Sequence, residues 1–181
     1  MERRRLGRLG IAVSILVAAC SKQEIAATPA SAATAAPPAG WRTFELGGIQ
    51  FFGPPDLIDQ HANGEDSLVG LFVGPSMQVD FDFGWYSDDS FIGHFDGVKM
   101  RSGTLEQVVI DGHPARLATW SDNRFPPTLP NACAIYVPDV ERTGEARGET
   151  KLEFRVSYRD AQDAEIARKI VLSVRIAPEK R

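Results

Sequence analysis

The chain has 181 residues, 20 basic and 24 acidic side chains, a net charge of −4, two cysteines and three histidines. The length fits one domain behind a leader, and the acidic balance gives no electrostatic hold on nucleic acid. Two cysteines are too few for a disulfide framework.

The first segment is unlike the rest. Arg3, Arg4, Arg5 and Arg8 precede an apolar run over residues 9–19 that closes on Val17-Ala18-Ala19, directly before Cys20. A basic start, a short apolar core and small residues at its end make a secretory signal. The run has 11 residues, well short of the ~20 a helix needs to cross hydrocarbon. A plain signal with an A-x-A-like cut within residues 14–19 remains an alternative on these residues alone. The cysteine after the small pair resembles the lipobox of bacterial lipoproteins. That resemblance implies cleavage after Ala19, a diacylglycerol on the Cys20 thiol and a third acyl chain on its new amino group. At about 0.8 kcal/mol per buried methylene, several chains on one residue make a lasting membrane anchor. Ser21 follows Cys20 where enteric-type bacteria use aspartate as an inner-membrane retention signal. The expected location is therefore the inner leaflet of the outer membrane, facing the periplasm. Cleavage would remove four arginines and Glu2, leaving 16 basic against 23 acidic residues and a net charge near −7.

Residues 20–40 read as the lipidated cysteine and a tether rich in Ala, Thr, Ser and Pro, with no aromatic residue. Such a segment cannot offset the entropy of ordering. Twenty flexible residues span roughly 25 Å, more where prolines stiffen them. Residues 41–181 then form a single domain, long enough to bury a core without metal or disulfide.

Strand patterns dominate that domain. Residues 41–46 and 49–52 form a hairpin around Gly47-Gly48. Pro54-Pro55 ends it, and residues 56–60 are expected as a short turn of helix, with a turn at Asn63-Gly64. Residues 67–73 are a strand closed by Gly74-Pro75. Met77, Val79, Phe81 and Phe83 alternate with Gln78, Asp80, Asp82 and Gly84, the clearest half-buried strand in the chain. Residues 86–99 read as loop or short helix. Residues 104–110 and 113–120 flank Asp111-Gly112, a type I′ hairpin signal, with Pro114 at the start of the returning strand. Residues 125–130 carry three prolines and read as loop. A strand follows over 132–137, where Cys133 shares a face with Ile135 and Val137. Its role there is that of a small buried hydrophobe. Residues 139–150 read as loop and 152–158 as the last long strand. Asp160 is then placed to cap a helix whose Ile166, Ile170 and Val174 recur at four-residue spacing. That helix stops near Ser173, before a short strand over 174–176.

Residues 41–52 with Pro54-Pro55, the Val108 to Ala115 hairpin and residues 152–176 together resemble the PsbP-like family. The resemblance implies an antiparallel sheet flanked by helices, and binding or assembly roles rather than a set chemistry. The fold class expected is α+β: an antiparallel β-sheet with flanking helices, including a C-terminal one.

No catalytic constellation emerges. There is no Gly-x-Ser-x-Gly elbow, and His61, His94 and His113 lack any local triad signature. Asp80, Asp82, Asp88 and Asp89 with His94-Phe95-Asp96 form the densest polar cluster. They make the region from Asp80 to Asp96 a candidate for a small ligand or cation, although EF-hand spacing is absent. A solvated strand face opposite Arg155 and Arg159 explains the same carboxylates. Trp85, Tyr86 and Phe91 lie beyond the strand, where exposure would make them a contact surface. The expectation is a non-enzymatic, lipid-anchored binding or assembly module with a membrane anchor and an envelope protein partner. No cofactor, metal or nucleic acid is expected. A ligand- or cation-binding lipoprotein and a hydrolase with dispersed residues are the alternatives.

Overall fold

The alternating segments become strands with little change of boundary. In chain order they are β1 (Arg42–Leu46), β2 (Ile49–Gly53), β3 (Ile58–Asp59), β4 (Ser67–Val73) and β5 (Met77–Gly84). β6 (Gly103–Ile110), β7 (His113–Ser121), β8 (Asn131–Val137) and β9 (Lys151–Tyr158) follow. The chain closes with the helix α1 (Ala164–Leu172) and β10 (Arg175–Ile176). The structure is a computed structural model that describes residues 36–88, 103–121, 128–140 and 150–177. Residues 1–35, with Cys20 and the expected signal and most of the expected tether, and the candidates Asp89, Phe91, His94, Phe95 and Asp96 lie outside the described residues.

The two hairpin turns follow the sequence expectation. Asp111 and Gly112 have φ of 50° and 90°, the positive pair a type I′ turn demands. Pro114 sits at the second position of β7. Pairing of β7 with β8 ends at Arg116–Tyr136. Two steps further on, Pro114 would face Pro138, and neither has an N–H to offer the ladder.

The strands form two antiparallel sheets, one of seven strands in the order β3-β4-β5-β9-β8-β7-β6 and one of three in the order β1-β2-β10. Their inner faces meet. Phe51 of the small sheet lies 5.2 Å, ring centre to ring centre, from both Phe72 and Phe154 of the large one. Phe44 stacks on Phe51 at 4.9 Å, and Phe81 stacks on Phe154 at 5.9 Å. α1 packs beside the small sheet, against β8, β9 and β2, and buries Ala167, Ile170 and Val171. The fold class is therefore α+β, antiparallel sheets with a C-terminal helix. α1 is the only α-helix among the described residues.

β8 is buried on both faces. Cys133, Ile135 and Val137 join the main core, while Ala132, Ala134 and Tyr136 form a second buried cluster with Ala118 and Trp120. Burial pushes the Cys133 thiol up to about 12, so it stays un-ionised and acts as a small hydrophobe.

Three sequence expectations change. Residues 56–60 form no helix: Ile58 and Asp59 pair with Val73 and Phe72, and the Gln60 N–H donates to the Leu71 carbonyl. Tertiary pairing overrides local preference there, with Leu57 fully buried behind it. The turn expected at Asn63-Gly64 moves upstream. His61 takes φ of 52° and donates its N–H to the Asp59 carboxylate at 2.7 Å, an Asx turn. Asp160 makes no side-chain cap; a 3-10 turn over Ala161–Asp163 precedes the helix, and the Asp160 carbonyl accepts the Asp163 N–H. The Ile166–Ile170 face packs on the core as expected, with Ile166 half-buried at its margin and Ala167 and Val171 buried beside Ile170.

Gly70 of β4 lies opposite Phe81, and a Cβ there would overlap the Phe81 ring. Gly70→Ala should destabilise the domain by about 1–3 kcal/mol through overpacking. Chemical denaturation would show this as a lower midpoint with an unchanged slope.

Candidate functional site

The polar side chains of β5 and β9 share the face of the large sheet that points away from α1. On this face Asp80 pairs with Arg155 across the strands. The guanidinium grips the carboxylate twice, Nη2 to Oδ2 at 2.7 Å and Nε to Oδ1 at 3.3 Å. Gln78 adds a donor to Asp80 Oδ1 at 3.4 Å. Asp80 is thus occupied by a fixed cation of its own chain, which answers the sequence expectation for Arg155. Arg159 instead donates to the Pro75 carbonyl.

One step along the same face, Asp82 lies directly opposite Glu153. Two carboxyl groups abreast repel when both are charged. Burial raises Glu153 to about 7; Arg155 pulls it down, while Asp80, Asp88 and Asp82 push it up. Asp82 Oδ1 is buried and has no hydrogen-bond partner among the described residues. Near neutral pH Glu153 therefore carries a proton for much of the time.

The chain then leaves the sheet. After Gly84 come Trp85 and Tyr86, 60% and 72% exposed, and then Ser87 at only 1%. The Ser87 hydroxyl accepts the backbone N–H of Glu153 at 3.1 Å. Ser87 pins the segment back onto β9, so Trp85 and Tyr86 form the crest of a short arch. Phe81 and Phe83 point into the core as expected. Ser87 had no signal in the sequence; its role appears only when β9 is beside it.

The remaining candidates do not converge on chemistry. His61 is exposed and paired with Asp59 at 3.4 Å. His113 lines an open cleft with Pro114, Pro138 and Asp139, and no serine or cysteine is among the described residues lining it. No group of three or more His, Cys, Asp or Glu side chains among the described residues is placed to hold a metal. No helix among them is long and apolar enough to cross a membrane.

No family model matches the sequence, and no curated protein matches it. Among solved structures, the Ran-binding protein Mog1p of Saccharomyces cerevisiae is similar at a TM-score of 0.45 and 11% identity, over 76% of this chain and 96% of that one. A likeness of that size carries no argument about this chain.

Glu153 gives a pH dependence whose sign is fixed. Its pKa is about 7 in the folded chain against about 4.3 unfolded. The unfolded state therefore releases the proton first, and stability falls as pH rises between those values. Glu153→Gln should be more stable than the parent by about 3–4 kcal/mol at pH 8 and equal to it near pH 4. Paired melts across that range would check this, and a constant offset between the two proteins would contradict it.

Proposed function

We propose that the chain is a lipid-anchored lipoprotein of the bacterial cell envelope and a non-enzymatic module that binds an envelope protein partner. It is held by acyl chains on Cys20 at the inner leaflet of the outer membrane, facing the periplasm. The location rests on the basic and apolar run that ends at Ala19-Cys20. Residues 21–40 then serve as the tether that lets the domain reach beyond the headgroups. The order of hairpin, antiparallel sheet, Asp-Gly hairpin, strand and closing helix runs as the PsbP-like resemblance implies, and that resemblance is part of the proposal.

The observation that carries the binding reading is the Trp85–Tyr86 crest. Two large aromatics stand in solvent on a segment anchored by a buried serine. Rigid aromatic side chains bring much contact area at little entropic cost, and they dominate binding energy where they occur. The acidic balance of the mature chain directs it to protein rather than to anionic lipid or nucleic acid.

Mass spectrometry of the mature protein should find an acylated Cys20 as its first residue; an unmodified terminus at another position would refute the anchor. A photoreactive residue at Tyr86 should give a discrete adduct in intact envelopes, reduced about tenfold or more by Trp85→Ala with no change in melting temperature. Labelling no stronger than from the same probe at Ile58, exposed on the edge strand β3, would defeat the binding reading.

A further inference from the structure

The two ends of the seven-stranded sheet are treated differently. At one end β3 is only two residues long and follows Pro54-Pro55, so little ladder is left open there. At the other end β6 runs eight residues in unbroken register with β7, with no neighbour on its far side among the described residues. It contains no lysine, proline or bulge, the usual guards of an edge. Residues 103–107 are all exposed. Since successive side chains take opposite faces, side chains on both faces of the strand are exposed there. α1 packs over β8, β9 and β2 and reaches β6 through the Arg168 side chain, which holds the Glu106 carboxylate and not the backbone groups of the edge.

The two-residue turn decides which backbone groups face out. The residues flanking it, Ile110 and His113, exchange both hydrogen bonds, and alternate pairs do so from there on. Gly103, Leu105, Gln107 and Val109 therefore turn their N–H and C=O groups to the open side. Glu106 is the one charged residue of the strand. Its carboxylate is already held by Arg168 of the same chain, at 2.8 and 3.1 Å.

We propose that two copies of this chain pair through their β6 edges, antiparallel about a two-fold axis at Gln107, to form one continuous sheet. A two-fold interface must be self-complementary, and this register is. It sets Leu105 opposite Val109 twice, Glu106 opposite Val108 twice and Gln107 opposite itself, with about six ladder hydrogen bonds. Leu105, 41% exposed in the single chain, gains an apolar partner. An axis one residue earlier would set Glu106 against Glu106, like charges at the shortest cross-strand spacing. The strip is otherwise neutral, so the acidic charge of the chain does not oppose contact along it. The interface is narrow, and its affinity belongs with weak, transient pairs. Confinement to a membrane surface would raise the effective concentration.

Sedimentation of the full chain carrying Cys20→Ser tests this independently of the Trp85–Tyr86 crest, which lies after β5. A concentration-dependent monomer–dimer equilibrium is expected up to about 500 μM. Gln107→Pro removes an outward N–H and no bond to β7, and should weaken the dimer about tenfold or more with far-UV spectrum and melting unchanged. Should that variant unfold, Leu105→Lys, at an exposed site, should weaken the dimer alike. Oxidised Gln107→Cys should crosslink rapidly, since opposed residues of a bonded pair sit about 5.5 Å apart. A wild type that stays monomeric throughout, including one whose edge takes up a different protein, overturns the proposal. So does a Leu105→Lys variant that associates like the parent, or a Gln107→Cys crosslink no faster than one from Tyr86→Cys.

Discussion

Phe51 is the point on which both sheets depend. It is 1% exposed and meets the rings of Phe44, Phe72 and Phe154 within 5.2 Å. Two of those contacts cross from the small sheet to the large one, at the edge-to-face angles that aromatic quadrupoles favour. A three-stranded sheet with a two-residue outer strand is marginal by itself. Its stability comes from laying Phe44, Ile49 and Phe51 on the larger sheet. Arg42 supports the rim, with its guanidinium over the Phe44 ring at 4.3 Å and donating to the Leu57 carbonyl.

The inner face is uniform and apolar; the outer face of the large sheet is graded. Its β7 and β8 portion consists of buried small residues and two buried aromatics, and Arg116 lies over the Tyr136 ring at 5.4 Å. Toward β5 it becomes charged, first the Asp80–Arg155 pair and then the Asp82–Glu153 pair. The first is a satisfied ion pair and the second a pair of like groups. Two residues of register separate them, and burial raises the Glu153 carboxyl of the second. The arch that carries Trp85 and Tyr86 hangs from this second pair, because Ser87 bonds the backbone of Glu153 itself.

Much of this was legible in the sequence because period and turn chemistry are local. Gly47-Gly48, Asp111-Gly112 and the alternation of residues 77–84 and 152–158 each report on their own neighbourhood, and each became the expected strand or turn. β3 was illegible because two residues have no period; only the presence of β4 makes them a strand. The acidic residues were visible as a cluster, but the partner of each was not. Asp80 and Asp82 look equivalent in the sequence, and register alone assigns one to a guanidinium and the other to a carboxyl group. Trp85 and Tyr86 stood out by type, and their exposure follows from a serine that no pattern marks.

The last strand closes the first sheet. β10 pairs with β2, and the Ala177 N–H donates to the Gly48 carbonyl at 2.7 Å. The N-terminal hairpin therefore takes its third strand from residues more than a hundred positions later. During synthesis the small sheet stays incomplete until residues 175–177 have emerged, and contacts of such long sequence separation form slowly. The earliest folded part of the domain to be made is thus among the last to be finished.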